Sequence, residues 1–155
     1  MPKEIFLADE KATKALGEIF ADVVKKGDII TLNGDLGAGK TTFARALIRS
    51  LMNEKNLNIP SPSFALVQPY QKDNLNIIHV DFYRIKDENE VEEFALFDDE
   101  EAIIIAEWAQ KAPEFAAKAN WQIFFNLGND NIGRNIKIIG ETSRFKKGSL
   151  DEFKC

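Results

Sequence analysis

The chain has 155 residues, 45% hydrophobic and 29% charged, ordinary globular proportions that exclude general disorder, collagen-like and coiled-coil architectures and fit about one domain. Its net charge of -5 argues against the broad basic face by which most proteins hold nucleic acid unaided. Apolar runs such as Ile103-Ile104-Ile105-Ala106 fall far short of the ~20 residues a membrane helix needs. No long apolar stretch follows Met1-Pro2-Lys3-Glu4, which predicts no signal peptide. The single cysteine, Cys155, has no internal disulfide partner. A soluble, cytoplasmic, single-domain protein is expected.

In chain order, Ile5-Phe6-Leu7 reads as a short strand. Asp9 then caps an amphipathic helix with Ala12, Leu16, Phe20 and Val23 on one face, closed by Lys25-Lys26-Gly27. Residues 28–33 (D-I-I-T-L-N) form a strand candidate, and a glycine-rich turn leads into a second helix over 41–52. Strands are predicted over 64–70 and 75–83, separated by Lys72-Asp73-Asn74. An acidic helix is expected over 88–97, a buried strand over 102–106, and a Pro-started helix over 113–119. Two last strands, 122–127 and 135–139, flank the polar turn 128–133. This alternation predicts an α/β domain with a mixed, mostly parallel sheet flanked by helices. The domain spans 1–140, and the polar tail 141–155 is expected to be loosely ordered.

The turn carries the chemistry. Gly34-Asp35-Leu36-Gly37-Ala38-Gly39-Lys40-Thr41 fits G-x-x-x-x-G-K-[ST] between a β-branched strand and a helix, the context a phosphate-binding P-loop requires. Glycines let successive N–H groups point at phosphate oxygens, and the helix start adds its positive dipole end. Leu36, Gly37, Ala38, Gly39, Lys40, Thr41 and Thr42 are the expected nucleotide cradle. Lys40 supplies a point charge to the β- and γ-phosphates, and the Thr41 hydroxyl is a Mg²⁺ ligand.

A P-loop also needs an acid at the end of a neighbouring strand to serve the metal. Asp81, after Ile77-Ile78-His79-Val80, and Glu107, after Ile103-Ile104-Ile105-Ala106, fit equally well, and position alone does not separate them. Either could instead face water. His79, the only histidine, reads as a core residue more readily than as a catalyst. Arg84 could neutralise phosphate charge or pair with Asp81. Ser61-Pro62-Ser63-Phe64 lies where γ-phosphate sensors tend to sit, or is a plain proline turn. Trp108 is core packing or a wall of the nucleotide site, and Arg134 is a base contact or a solvated loop charge. Asp98-Asp99-Glu100-Glu101 reads as a solvated connection.

Taken together, Gly34 to Phe43, Ser61-Pro62-Ser63-Phe64, His79-Val80-Asp81-Phe82-Tyr83-Arg84 and Glu107-Trp108 resemble the TsaE (YjeE) family, bacterial ATPases of tRNA threonylcarbamoyladenosine biosynthesis. The match covers about residues 5–140, and the opening Ala8 to Thr13 also resembles the family's. The resemblance implies a P-loop NTPase fold and a cytoplasmic Mg²⁺-dependent ATPase that turns ATP into ADP. It implies action as a switch on TsaB and TsaD, which modify the adenosine beside the tRNA anticodon, so that tRNA is met only indirectly. It also implies Thr41 and Glu107 as Mg²⁺ ligands, Lys40 and Asp81 as catalytic groups with Asp81 on the water, and Glu10, Gly133 and Arg134 near the nucleoside. Trp108 falls to the nucleotide site, and Ser61, Ser63, Tyr83 and Arg84 to a switch that couples to partners.

The chain departs from the family pattern at Ser63, where Thr is more common, at Phe82 for Leu, and at Ala109 for Pro. None of these removes a charge or a ligand. Two other readings keep the P-loop. A small-molecule kinase would need an arginine-rich lid, whereas Arg45, Arg49, Arg84, Arg134 and Arg144 are scattered. A nucleotide-gated binding module would use ATP only to order the Ser61–Phe64 loop for docking.

Overall fold

A computed structural model describes residues 2–35, 37–61, 66–128 and 132–153. The pattern of apolar residues builds one seven-stranded sheet: β1 (Lys3–Leu7), β2 (Ile29–Gly34), β3 (Val67–Lys72), β4 (Leu75–Asp81), β5 (Ile103–Glu107), β6 (Trp121–Leu127) and β7 (Arg134–Gly140), in the order β1-β7-β6-β2-β5-β4-β3. The pairings β6-β2, β2-β5 and β5-β4 are parallel, while β1-β7, β7-β6 and β4-β3 are antiparallel. Strands β1, β6, β2, β5 and β4 therefore run one way, and β7 and β3 run against them. The expected α/β class and mixed, mostly parallel sheet are what the chain forms. Pro69 is tolerated in β3 because that strand is an edge, paired only to β4.

Two helices cover one face. In α1 (Glu10–Ala21), Asp9 accepts the Ala12 N–H at 2.9 Å as N-cap, and Leu16 and Phe20 are fully buried. The helix stops before the expected lysines: Asp22 is its C-cap, and the Asp28 carboxylate captures the Lys25 N–H at 2.9 Å. Helix α2 (Lys40–Met52) starts at Gly39, whose φ of 102° favours glycine, and buries Phe43 and Leu47. Gly17 is what lets α1 meet α2, since a Cβ there would lie 2.7 Å from that of Ala46.

Strand alternation divides the core. Ile77, Leu32, Ile103 and Ile105 face α1 and α2, whereas Val80, Phe82, Ile104 and Ala106 pack beneath the other face with Val91 and Phe115. That second face is covered by a 3₁₀ helix, Glu88–Phe94, and one helical turn, Pro113–Ala116. Both elements are shorter than their expected helices. Asp87 and Glu90 form a capping box at the start of the first, and Ala95 ends it in the left-handed region at φ 52°.

In the segment 141–153, Phe153 is buried, and Phe145 meets Phe20 and Trp121 edge-on at ring-centroid distances of 5.1 and 5.5 Å. Arg144 donates to Asp28 at 2.6 Å and to the Val23 carbonyl at 3.2 Å. Spacing within a polar segment does not announce such contacts, because the receiving aromatics lie more than twenty residues away in sequence.

Candidate functional site

Strand register assembles the site. Leu32 of β2 and Asp81 of β4 both pair with Glu107 of β5, so the carboxyl ends of three parallel strands are level, next to the start of α2. Open parallel sheets place ligand sites at this edge. Here Gly37, Ala38, Gly39, Lys40, Thr41, Thr42, Ser61, Asp81, Tyr83, Arg84, Glu107 and Trp108 line one cleft of about 370 Å³.

Within it the polar side chains are tied together. The Lys40 ammonium donates to the carbonyls of Gly34 and Asp35, the latter at 3.0 Å, and sits 4.1 Å from the centre of the Trp108 ring. The Thr41 hydroxyl donates to Glu107 Oε1 at 2.9 Å. Glu107 Oε2 lies 2.6 Å from His79 Nε2, and both side chains are buried. Asp81 accepts the Tyr83 N–H at 2.7 Å. Trp108 adopts a left-handed backbone, φ 59°, which turns its indole over Lys40 and against Tyr83, with a ring separation of 4.8 Å. Lys111 donates to the Tyr83 carbonyl at 2.6 Å and lies over the Tyr83 ring.

Burial sets the electrostatics. It pulls the Lys40 ammonium below the ordinary lysine range, against the opposing pull of Glu107, Asp81 and Asp35. It pushes the Asp81 carboxyl above the ordinary range; the Tyr83 N–H opposes that rise, Glu107 adds to it, and His79 and Lys40 oppose it. A buried lysine and two buried acids thus share one cleft, and perturbed groups of this kind cluster at functional sites. Among the described residues no cluster of three or more His, Cys, Asp or Glu could hold a metal by itself.

Other expected site residues fall elsewhere. Glu10 lines a separate groove between α1 and α2 and pairs with Lys14 at 3.4 Å. Arg134 does not line the cleft; it braces the glycine loop from outside, donating to the carbonyls of Ala38 at 3.1 Å and Gly37 at 2.9 Å. A Cβ on Gly133 would meet the Phe6 ring, so its position is one of close packing against β1. Leu36 and Ser63 lie outside the described residues. His79 is fully buried, as its reading as a core residue expects, and it also meets Glu107. The signal for that contact was the H-x-D spacing, which puts His79 and Asp81 on one face of β4, the face that carries Glu107 on β5.

Fold and cleft define the class: a single-domain α/β protein with a mixed sheet and a G-x-x-x-x-G-K-T loop opening a cleft at the carboxyl ends of its central strands. Residues 7–136 match the model of a family described as threonylcarbamoyl adenosine biosynthesis protein TsaE. The chain belongs to the TsaE family, which serves tRNA threonylcarbamoyladenosine biosynthesis. Relatives that bear the name tRNA threonylcarbamoyladenosine biosynthesis protein TsaE include one from Rickettsia typhi, 46% identical over 108 residues, covering 67% of this chain and 72% of the relative. Another, from Haemophilus influenzae, is 31% identical over 145 residues and covers 89% of both chains. A third, from Bacillus subtilis, is 34% identical over 134 residues, or 86% of this chain and 83% of the relative. The crystal structure of Bacillus subtilis YdiB shares the fold, with a TM-score of 0.69 at 24% identity over 99% of this chain and 94% of that one. No helix among the described residues is long and apolar enough to cross a membrane.

Proposed function

We propose that the chain is a Mg²⁺-dependent ATPase whose turnover switches the TsaB–TsaD complex during tRNA threonylcarbamoyladenosine formation. The observation that carries this reading is the Thr41–Glu107 pair, set between Lys40 and Asp81 in one cleft. The Thr41 hydroxyl and the Glu107 carboxylate, hydrogen-bonded at 2.9 Å, are hard oxygen donors of the kind Mg²⁺ takes, and these two residues would hold it. Bound there, Mg²⁺ would supply charge neutralisation between the β- and γ-phosphates.

The chain's own groups do the rest. Backbone N–H groups of the glycine loop and the first turn of α2 receive the phosphates. Lys40 exchanges its two loop carbonyls for phosphate oxygens. Asp81, buried and with one oxygen held by Tyr83, orients the attacking water. Trp108 roofs Lys40 and limits solvent at the phosphates. Tyr83, Arg84 and Ser61 form the rim of the cleft, where a partner can sense nucleotide state. With a net charge of -5, contact with tRNA runs through the partner proteins.

The test is ATP hydrolysis by the purified chain, alone and with TsaB and TsaD, with and without Mg²⁺. A marked rise that needs every component supports the reading. Nucleotide-dependent complex formation without turnover would replace it with a binding module, and neither would sever the chain from the complex.

A further inference from the structure

His79 is the one buried polar side chain at the site to which the reading above gives no task. Its ring is fully buried on β4, two residues before Asp81 on the same face. A carboxylate can only accept, so the 2.6 Å contact with Glu107 Oε2 puts the ring proton on Nε2. Nδ1 has no hydrogen-bond partner among the described residues. The bond to His79 and the bond from Thr41 occupy the two oxygens of Glu107 separately, Oε2 inward and Oε1 toward the cleft. Without the imidazole, Glu107 Oε2 would be buried with no donor, and the carboxylate could rotate away from Thr41.

We propose that His79 is a positioning residue for the metal: by donating Nε2–H to Glu107 Oε2 it fixes the carboxylate so that Oε1, beside Thr41 Oγ1, forms one preorganised edge of a Mg²⁺ shell. The inference rests on the reading of Glu107 as a metal ligand. Partners of this kind typically change metal affinity by ~10–100-fold when removed. His79 thus acts on the metal through Glu107 and touches neither nucleotide nor water.

The test titrates Mg²⁺ into the ADP-saturated chain and reads the half-saturating Mg²⁺ concentration calorimetrically. ADP affinity in chelator serves as the control. His79→Met, which removes the donor at similar volume, should raise the Mg²⁺ midpoint ~10–100-fold and leave ADP binding in chelator unchanged. His79→Gln, whose amide N–H can reach the Nε2 position, should recover much of the loss. An unchanged midpoint in His79→Met overturns the proposal. An unchanged midpoint in Glu107→Gln would instead overturn the ligand assignment beneath it. Should His79→Met fail to fold, the wild-type chain still decides. Its single histidine gives one pair of ring ¹⁵N signals, expected as the Nε2–H tautomer, and Mg²⁺ added after ADP should move the Nε2 signal. A ring signal indifferent to Mg²⁺, or the Nδ1–H tautomer, overturns it.

Discussion

At the scale of single residues, Lys40 and Asp81 separate binding from chemistry. Lys40→Ala removes a buried cation beside Glu107 and Asp81 and should weaken nucleotide binding itself, by tenfold or more in a calorimetric titration. Asp81→Ala should keep Mg-ATP binding and lose hydrolysis. Loss of ATP affinity in Asp81→Ala, with Glu107→Ala unaffected, would mean that the two acids exchange roles. Their electrostatics add a pH signature. The Asp81 pKa is raised in the fold, chiefly by burial, so its protonated form is the better accommodated. The corresponding stability is present below the unfolded pKa and is lost as pH rises through the folded value. Asp81→Asn should therefore be more stable than the parent at neutral pH by thermal melting, yet inactive. The acid limb of the hydrolysis profile should likewise lie above the ordinary carboxylate range, since the carboxylate is the form that accepts a water proton.

At the scale of elements, the loop between β2 and α2 depends on backbone room. Gly34 sits at φ 150°, and a Cβ there would lie 2.5 Å from the Phe125 carbonyl of the neighbouring strand β6. Gly34→Ala must displace one of two paired backbones. It should destabilise by about 1–3 kcal/mol in chemical denaturation and weaken nucleotide binding, because the Gly34 carbonyl also holds Lys40. Much of this element was legible in the sequence. Glycines, lysine and threonine at fixed spacing between a β-branched run and an amphipathic stretch leave few other conformations. The 3₁₀ helix at Glu88–Phe94 was less legible. Its acidic composition suits an α-helix, but its length was decided by Val91 and Phe94 packing onto the lower sheet face and by the left-handed turn at Ala95. Arg134 was legible only as a cation in a polar turn; the fold brings the carbonyls of Gly37 and Ala38 against it.

At the scale of the whole molecule, the two ends of the sheet do different work. The carboxyl ends of β2, β4 and β5 form the cleft. The opposite end, roughly 20 Å away along β2 at ~3.3 Å per residue, is locked by Asp28, which accepts from Arg144, the Lys25 N–H and the Trp121 indole. Arg144→Ala leaves that carboxylate short of its cation and uncovers Trp121. It should cost about 1–3 kcal/mol of stability in denaturant titration while nucleotide affinity stays at the parent value. A large loss of affinity would show that the two ends are coupled.

What the sequence determined by itself is whatever is carried by neighbours along the chain: the glycine loop and its lysine and threonine, the Asp9 cap, the alternation of buried and exposed residues in each strand, and the family. Local spacing is enough for these, because helix and strand periods and turn chemistry act over a few residues. What only the tertiary structure decided is whatever needs two distant segments in register. Residues alone gave Asp81 and Glu107 equivalent positions; in the fold β5 and α2 bring Glu107 to Thr41 at 2.9 Å, while Asp81 accepts the Tyr83 N–H. The contacts of His79 with Glu107, of Arg134 with the glycine loop and of Phe145 with Phe20 and Trp121 arise for the same reason. Hydrogen bonds and packing act over a few ångströms in space, and distance along the chain does not reveal them.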